Sequence, residues 1–137
     1  MKTLKAGCVL LDKESKKIAL VYREKLDDYS FPKGHLEEGE TIKECAIRET
    51  AEETKRVAIL VENVKPHLQS YTTPSGEYCE CQLFLALDGG KSDNTSWDTH
   101  PVVWVDYREV EEKLSYVNLK LVYAHMLPHI LKILGEY

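Results

Sequence analysis

The sequence predicts an α/β fold, a mixed β-sheet covered by helices on both faces to give an α/β/α sandwich. Three observations point to it. Apolar, β-rich runs open the chain and recur past its middle, a capped helix of small apolar residues lies between them, and a longer amphipathic helix comes last. With 137 residues and 43% hydrophobic content the chain suits one domain over 1–137 with a real core, and no Pro/Gly/Ser-rich linker, repeat or low-complexity tract divides it.

The elements follow in order. Residues 4–11 and 17–22 read as the strands of a hairpin joined by the charged turn Asp12-Lys13-Glu14-Ser15-Lys16. The stretch Ser30-Phe31-Pro32-Lys33-Gly34-His35 reads as a loop, because Pro32 interrupts pairing and Gly34 allows close backbone approach. Thr41 with Glu44 makes a capping box, which predicts a helix over Ile42 to Thr54 whose apolar side is Ile42, Cys45, Ala46 and Ile47. Residues 58–64 and 78–87 read as strands, with Thr73-Pro74-Ser75-Gly76 turning a further hairpin and Gly89-Gly90 ending the later strand. Val102 to Val105 is a short buried strand, and residues 106–114 form a helix. A longer helix covers 118–134 with Leu119, Val122, Tyr123, Met126, Ile130 and Ile133 on one side and a kink near Leu127 from Pro128.

Charge and cysteine content narrow the function classes. A pI near 5.6 gives no general attraction for nucleic acid or an anionic membrane, so neither is expected as a partner. Leu4-Lys5-Ala6-Gly7-Cys8 faintly resembles a lipoprotein cleavage site, but no apolar stretch precedes it, and no run approaches the length of a membrane span. Cys8, Cys45, Cys79 and Cys81 are therefore expected as reduced, buried structural thiols of a cytoplasmic protein. His125 and His129 have a spacing that can bind a metal, but without an acidic third partner nearby in sequence they read as helix-surface histidines.

The charge is concentrated in one place. Residues 37–53 carry Glu37, Glu38, Glu40, Glu44, Glu49, Glu52 and Glu53 against Lys43 and Arg48, a local charge of −5 that equals the net charge of the whole chain. Glu49, Glu52 and Glu53 stand at i, i+3 and i+4, so a helix projects all three carboxylates from one face. A solvated acidic face is the plain reading of such a run. Like charges at this spacing destabilise a helix by roughly 0.2–0.5 kcal/mol per pair, however, and a hard divalent cation would compensate them.

The glycine at Gly34, the glutamate at Glu40, then Arg48-Glu49 and Glu52-Glu53 make this segment resemble the Nudix box, and the resemblance extends over essentially the full chain. Two positions depart from the pattern. Lys55 stands at its terminal glycine and Arg56 at the aliphatic position after it, so the turn lacks its usual left-handed residue at a cost of about 1 kcal/mol, or the helix end shifts. The resemblance implies a Nudix α/β/α sandwich and a pyrophosphohydrolase that uses Mg²⁺, with Mn²⁺ able to substitute, on a small-molecule nucleotide. By resemblance Glu49 and Glu53 are the principal metal ligands, Glu52 is a further ligand or the group that polarises water, and the Gly34 carbonyl completes the set. Arg48, Glu49 and Glu52 are the implied catalytic residues. Arg48 can pair with Glu52 on the surface, or hold a catalytic glutamate by a bidentate bond, which is the role the resemblance implies. Glu40 is implied to be structural.

Lys33 and His35 flank Gly34 and can meet phosphate oxygens, and Tyr71 lies where some branches of the family place a substrate-contacting tyrosine. Tyr71, Tyr78 and Trp104 are candidates for stacking on a nucleobase. Asp98 is a candidate base or extra metal ligand, with a cap or turn role as the alternative. The segments Phe31 to His35 and Trp104 to Tyr116 resemble diadenosine polyphosphate hydrolases, which favours a nucleoside or dinucleoside polyphosphate substrate. ADP-ribose, diphosphoinositol phosphates and nucleotide-pool sanitation are alternatives within the enzyme class. A non-catalytic module that binds a nucleotide or protein is the rival from outside it. Loss of Glu49, Glu52 or Glu53 would favour that rival, and all three are present.

Overall fold

Runs of buried aliphatic residues dictate the sheet. The computed structural model of the protein describes residues 2–93 and 100–136, so Asp98 lies outside the described residues. Strands β1 (Lys2–Asp12) and β2 (Lys17–Arg23) form the expected hairpin. They are followed by β3 (Asp28–Ser30), β4 (Lys33–His35), α1 (Ile42–Thr54), β5 (Arg56–Leu60), β6 (His67–Thr72), β7 (Tyr78–Lys91), β8 (Val102–Asp106), α2 (Val110–Lys113) and α3 (Val117–Leu134). The strands form one mixed sheet with the path β3-β2-β1-β7-β5, in which β1 and β7 run parallel and the other pairs antiparallel; β4 pairs with β1, β6 with β7 and β8 with β2.

Alternation along each strand divides the core between two faces. Val9, Leu11, Ile18, Leu20, Leu83 and Leu85 pack with Leu119, Val122, Tyr123, Met126 and Ile130 of α3. The opposite residues Ala6, Cys8, Leu10, Ala19, Phe84 and Ala86 pack with Cys45 and Ala46 of α1. The small side chains in this second cluster let α1 lie close to the sheet. The four cysteines are buried free thiols. Burial pushes Cys8 up to about 12 and Cys81 to about 11, which suits packing groups rather than nucleophiles.

Several expectations need correction. The stretch at 30–35 is not all loop: Ser30 ends β3 and Lys33–His35 forms β4, with only Phe31 and Pro32 between them, and the Pro32 carbonyl accepts the Cys8 N–H at 3.1 Å; Gly7 of β1 comes so close to Pro32 and Lys33 that a Cβ on it would lie 1.9 Å from the Pro32 carbonyl oxygen. Strand β5 covers 56–60 rather than 58–64, and β7 continues through Gly89 and Gly90 to Lys91. Those glycines extend the pairing because a Cβ on Gly89 would lie 2.8 Å from the Ile59 side chain, and the register shifts between Arg56 and Ala58. The helix over 106–114 shrinks to α2, because Asp106 accepts the Arg108 N–H at 2.9 Å and its carbonyl accepts the Glu109 N–H at 2.8 Å, closing a turn first. Ile47 is 37% exposed and leaves the inward side of α1 to Ile42, Cys45, Ala46, Thr50 and Thr54. Helix α3 contains Pro128 and continues on both sides of it. No described helix is long and apolar enough to cross a membrane.

Candidate functional site

Local sequence fixes the first wall of the site. The Thr41 hydroxyl accepts the Glu44 N–H at 3.1 Å and the Glu44 carboxylate accepts the Thr41 N–H at 2.9 Å, which sets the start of α1 and the phase of every side chain after it. That phase turns Glu49 and Glu53 toward β4. A Cβ added to Gly34 would lie 2.1 Å from the Glu49 carboxylate, so glycine is required for this approach. Glu53 accepts the Lys33 N–H at 2.7 Å, and the Gly34 carbonyl lies 3.6 Å from the Cys45 thiol, which donates to it.

Arg48 organises the acidic run. Its Nε donates to Glu40 at 2.6 Å and its Nη2 at 3.0 Å, a bidentate pair, while Nη1 reaches Glu49 and Glu52 at 3.2 Å each and Nη2 also donates to the His35 carbonyl at 2.9 Å. The bidentate bond expected to orient a catalytic glutamate is thus made to Glu40, and Glu49 and Glu52 share the remaining nitrogen. The i,i+4 contact to Glu52 exists alongside it. The Arg48 guanidinium holds the Glu40 carboxyl down at about 2. Burial, and next the neighbouring Glu52 charge, push the Glu49 carboxyl up despite Arg48.

The acidic wall borders a cavity of about 880 Å³ whose other walls carry cations. Lys33 donates to Gln69 at 2.9 Å with its ammonium 4.5 Å from the centre of the Tyr71 ring, and burial lowers its pKa. Lys5 donates to the Tyr71 hydroxyl at 3.0 Å. Arg23, His35, His100 and Tyr116 also line the cavity. The structure therefore brings together Lys33, Gly34, His35, Arg48, Glu49, Glu52, Glu53 and Tyr71. It leaves Tyr78 and Trp104 outside; Trp104 packs beside the α1 core. His125 packs on His67 of β6, with ring centres 3.8 Å apart, and His129 is exposed.

Sequence reasoning missed Lys5, Arg23 and Tyr116. Lys5 sat inside an apolar strand run, and the other two reach the cavity only through pairing of β2 with β3 and docking of α3. The donor set of Glu49, Glu52, Glu53 and the Gly34 carbonyl is all oxygen, which fits a hard cation such as magnesium. Among the described residues no three His, Cys, Asp or Glu side chains are gathered so that they could hold a metal ion by themselves.

Comparison with known proteins bears on the family and the fold. The sequence model of the NUDIX domain matches residues 1–126. The 8-oxo-(d)GTP phosphatase of Mycolicibacterium smegmatis is 29% identical over 99 residues, covering 72% of this chain and 30% of that protein. The chain spans about a third of the length of the curated relatives it matches, 30% and 37%. Among solved structures, a NUDIX hydrolase from Nitrosomonas europaea superposes with a TM-score of 0.77 at 21% identity, covering 100% of this chain and 98% of the other. The Ap4A hydrolase of C. elegans superposes with a TM-score of 0.76 at 21% identity, covering 95% and 99%. At these identities the likeness speaks for the fold.

Proposed function

The chain belongs to the NUDIX domain family, and from that premise we propose that residues 1–137 form one pyrophosphohydrolase domain that cleaves a phosphoanhydride bond in a nucleoside or dinucleoside polyphosphate, with Mg²⁺ as cofactor and Mn²⁺ able to replace it, in the cytoplasm. The observation that carries the proposal is a cavity with Glu49, Glu52 and Glu53 on one wall and Lys5, Arg23 and Lys33 on the others. A chain of phosphates is the ligand such a cavity suits. Its oxygens meet the lysines directly, while the carboxylates repel them unless a cation intervenes.

Bound among Glu49, Glu53, Glu52 and the Gly34 carbonyl, a divalent ion would neutralise charge on the phosphoryl oxygens and acidify water. The residues do the rest. Lys33 and Lys5 draw the phosphate chain across the cavity. Arg48 holds Glu49 and Glu52 at 3.2 Å each and so fixes their orientation. The water oxygen bonds to phosphorus, Glu52 takes the water proton, and the anhydride P–O bond breaks with its electron pair leaving on the departing phosphate.

The test is product release from a panel of nucleoside and dinucleoside polyphosphates, ADP-ribose and diphosphoinositol phosphates, with and without metal. Release from the first two that requires Mg²⁺ or Mn²⁺ is expected, and the metal should also raise the melting temperature, by about 2.7 kcal/mol of stability at a hundredfold excess over Kd. Full activity in excess chelator would overturn the metal assignment. Tight nucleotide binding with no cleavage under any condition would favour the binding module.

A further inference from the structure

Gln69 stands in the middle of β6, is only 3% exposed and lines the cavity, so the part of it that solvent reaches is on the cavity wall. Its Oε1 accepts the Lys33 ammonium at 2.9 Å. An ammonium only donates, which fixes this end of the amide as the oxygen and turns the NH₂ group away from Lys33. That nitrogen has no acceptor among the described residues. Nor is it sealed in, because the described polar side-chain atom that is buried without a partner is the Thr50 hydroxyl. Two N–H donors on an otherwise buried side chain therefore open onto the cavity, where a ligand oxygen can accept them.

The cations of the cavity wall are held in two different ways. Arg23 donates to the buried carboxylate of Asp28 through Nε at 2.8 Å and Nη2 at 2.5 Å, and the Tyr116 hydroxyl donates to the same carboxylate. That pairing spends the Arg23 charge inside the protein. The Lys33 ammonium forms no ion pair with a carboxylate among the described residues; beyond Gln69, it lies 4.5 Å from the centre of the Tyr71 ring, whose hydroxyl accepts Lys5 at 3.0 Å. An amide oxygen and a ring face orient an ammonium, and neither cancels its charge. A carboxylate at position 69 would hold Lys33 more strongly, but it would neutralise the charge that a phosphate needs and carry no donor of its own.

We propose that Gln69 is a binding and positioning residue for the phosphate chain: its oxygen aims the Lys33 ammonium without neutralising it, and its NH₂ group donates to an oxygen of the phosphoryl group that Lys33 contacts. The inference rests on the reading of this cavity as a phosphate site. A charged donor and a neutral donor side by side suit two non-bridging oxygens of one phosphoryl group. Glutamine at this position thus trades the strongest available hold on Lys33 for a lysine whose charge is left for the ligand.

Gln69→Glu tests this, because it keeps the acceptor for Lys33 while removing both donors and cancelling the lysine charge. In the full chain with Mg²⁺, KM for a nucleoside polyphosphate should rise at least about tenfold with a smaller change in kcat, while the melting temperature stays at or above that of the wild type. Calorimetric titration with an ATP analogue in which methylene replaces both anhydride oxygens should show the same loss of affinity. Gln69→Met, uncharged and of similar length, should also weaken the analogue, here with a lower melting temperature because Lys33 loses its acceptor. It carries the test if Gln69→Glu does not fold. Unchanged KM and analogue affinity in either folded variant would overturn the inference and reduce Gln69 to a residue that merely satisfies Lys33. A wild type that does not bind the analogue would overturn it as well. The two readings separate in kinetics. An active wild type whose KM is untouched by Gln69→Glu defeats the role of Gln69 and leaves the hydrolase standing. A wild type that binds the analogue in a manner dependent on Gln69 yet cleaves no nucleotide defeats the hydrolase and leaves the role of Gln69 standing.

Discussion

At the scale of the residue, the site is a competition among carboxylates for one arginine, and the geometry says which of them wins. Glu40 takes two of its donors, so Glu40 is the most firmly held acid of the run, while Glu49 and Glu52 share what remains. Arg48 depresses the Glu40 carboxyl from an ordinary 4.5 to about 2. A depressed carboxylate contributes stability that is present above its unfolded value and lost as pH falls toward its folded one. The melting temperature of Glu40→Gln should therefore lie below wild type at pH 6, and the gap should close as the pH is lowered from about 4.5 to about 2. A gap independent of pH would mean that Glu40 acts by shape alone. Glu53 offers a cleaner probe of the chemistry. Its bond to the Lys33 N–H survives in Glu53→Gln, because the amide oxygen still accepts, so the fold should persist while turnover falls by about a hundredfold or more with loss of the charge. Retention of most turnover with an unchanged circular dichroism spectrum would remove Glu53 from the principal ligands. The acidic half of this site was legible in the sequence because its residues lie within one helix and one tight turn. The other half was not. Lys5, Arg23 and Tyr116 meet only through pairing of strands far apart in the chain, and nothing in the spacing of Asp28 and Tyr116 announces a shared carboxylate.

The elements show where local rules decide and where tertiary contacts override them. Helix α1 begins where its capping box places it, because that signal is local. Strand β7 runs through two glycines that a local rule would read as a stop, since β5 lies against them. At the end of α1 the chain turns as the family pattern requires without the family residue: Lys55 sits at φ 61° and ψ 26°, left-handed, with its N–H bonded to Ala51 at 2.9 Å. The helix does not run on past it. Lys55 also donates through Nζ to the Glu52 carbonyl at 2.6 Å, and Arg56, at the usual aliphatic position, pairs with Asp88 of β7 at 2.9 Å. These two side chains offset part of the cost of the departure. Left-handed backbone costs a non-glycine residue about 1 kcal/mol or more, against a few tenths for a cation at a helix C-terminus. Lys55→Gly should accordingly raise the melting temperature by about 1–3 °C with metal dependence unchanged. A fall would show that the bond to the Glu52 carbonyl outweighs the backbone strain.

Over the whole molecule, the two faces of the sheet perform different work, and their composition predicts different responses to mutation. The α3 face is a core of large side chains, with Tyr123, Leu119, Met126 and Ile130 all fully or almost fully buried. The α1 face sets alanine and cysteine around Leu10 and Phe84, and the helix it holds close carries Glu49, Glu52 and Glu53 against the sheet edge at Gly34 and Lys33. Stability and alignment of the site are thus assigned to opposite sides. Ile130→Ala, on the α3 face some 20 Å along the helix from Tyr116, opens a cavity and should cost about 2–5 kcal/mol of stability. Ala46→Leu, on the α1 face, overpacks a fully buried position and should cost about 1–3 kcal/mol. Leucine at that position has no room except by lifting α1, which draws the Glu49 carboxylate off Gly34 and the Glu53 carboxylate off the Lys33 N–H together. The milder destabilisation should therefore be the more damaging to catalysis: Ala46→Leu is expected to lower turnover well below Ile130→Ala when both are assayed at a temperature where each is fully folded. Activities that simply follow the order of melting temperatures would refute this division between the faces, and would mean that Arg48 and the loop before α1 align the carboxylates without help from how closely the helix packs.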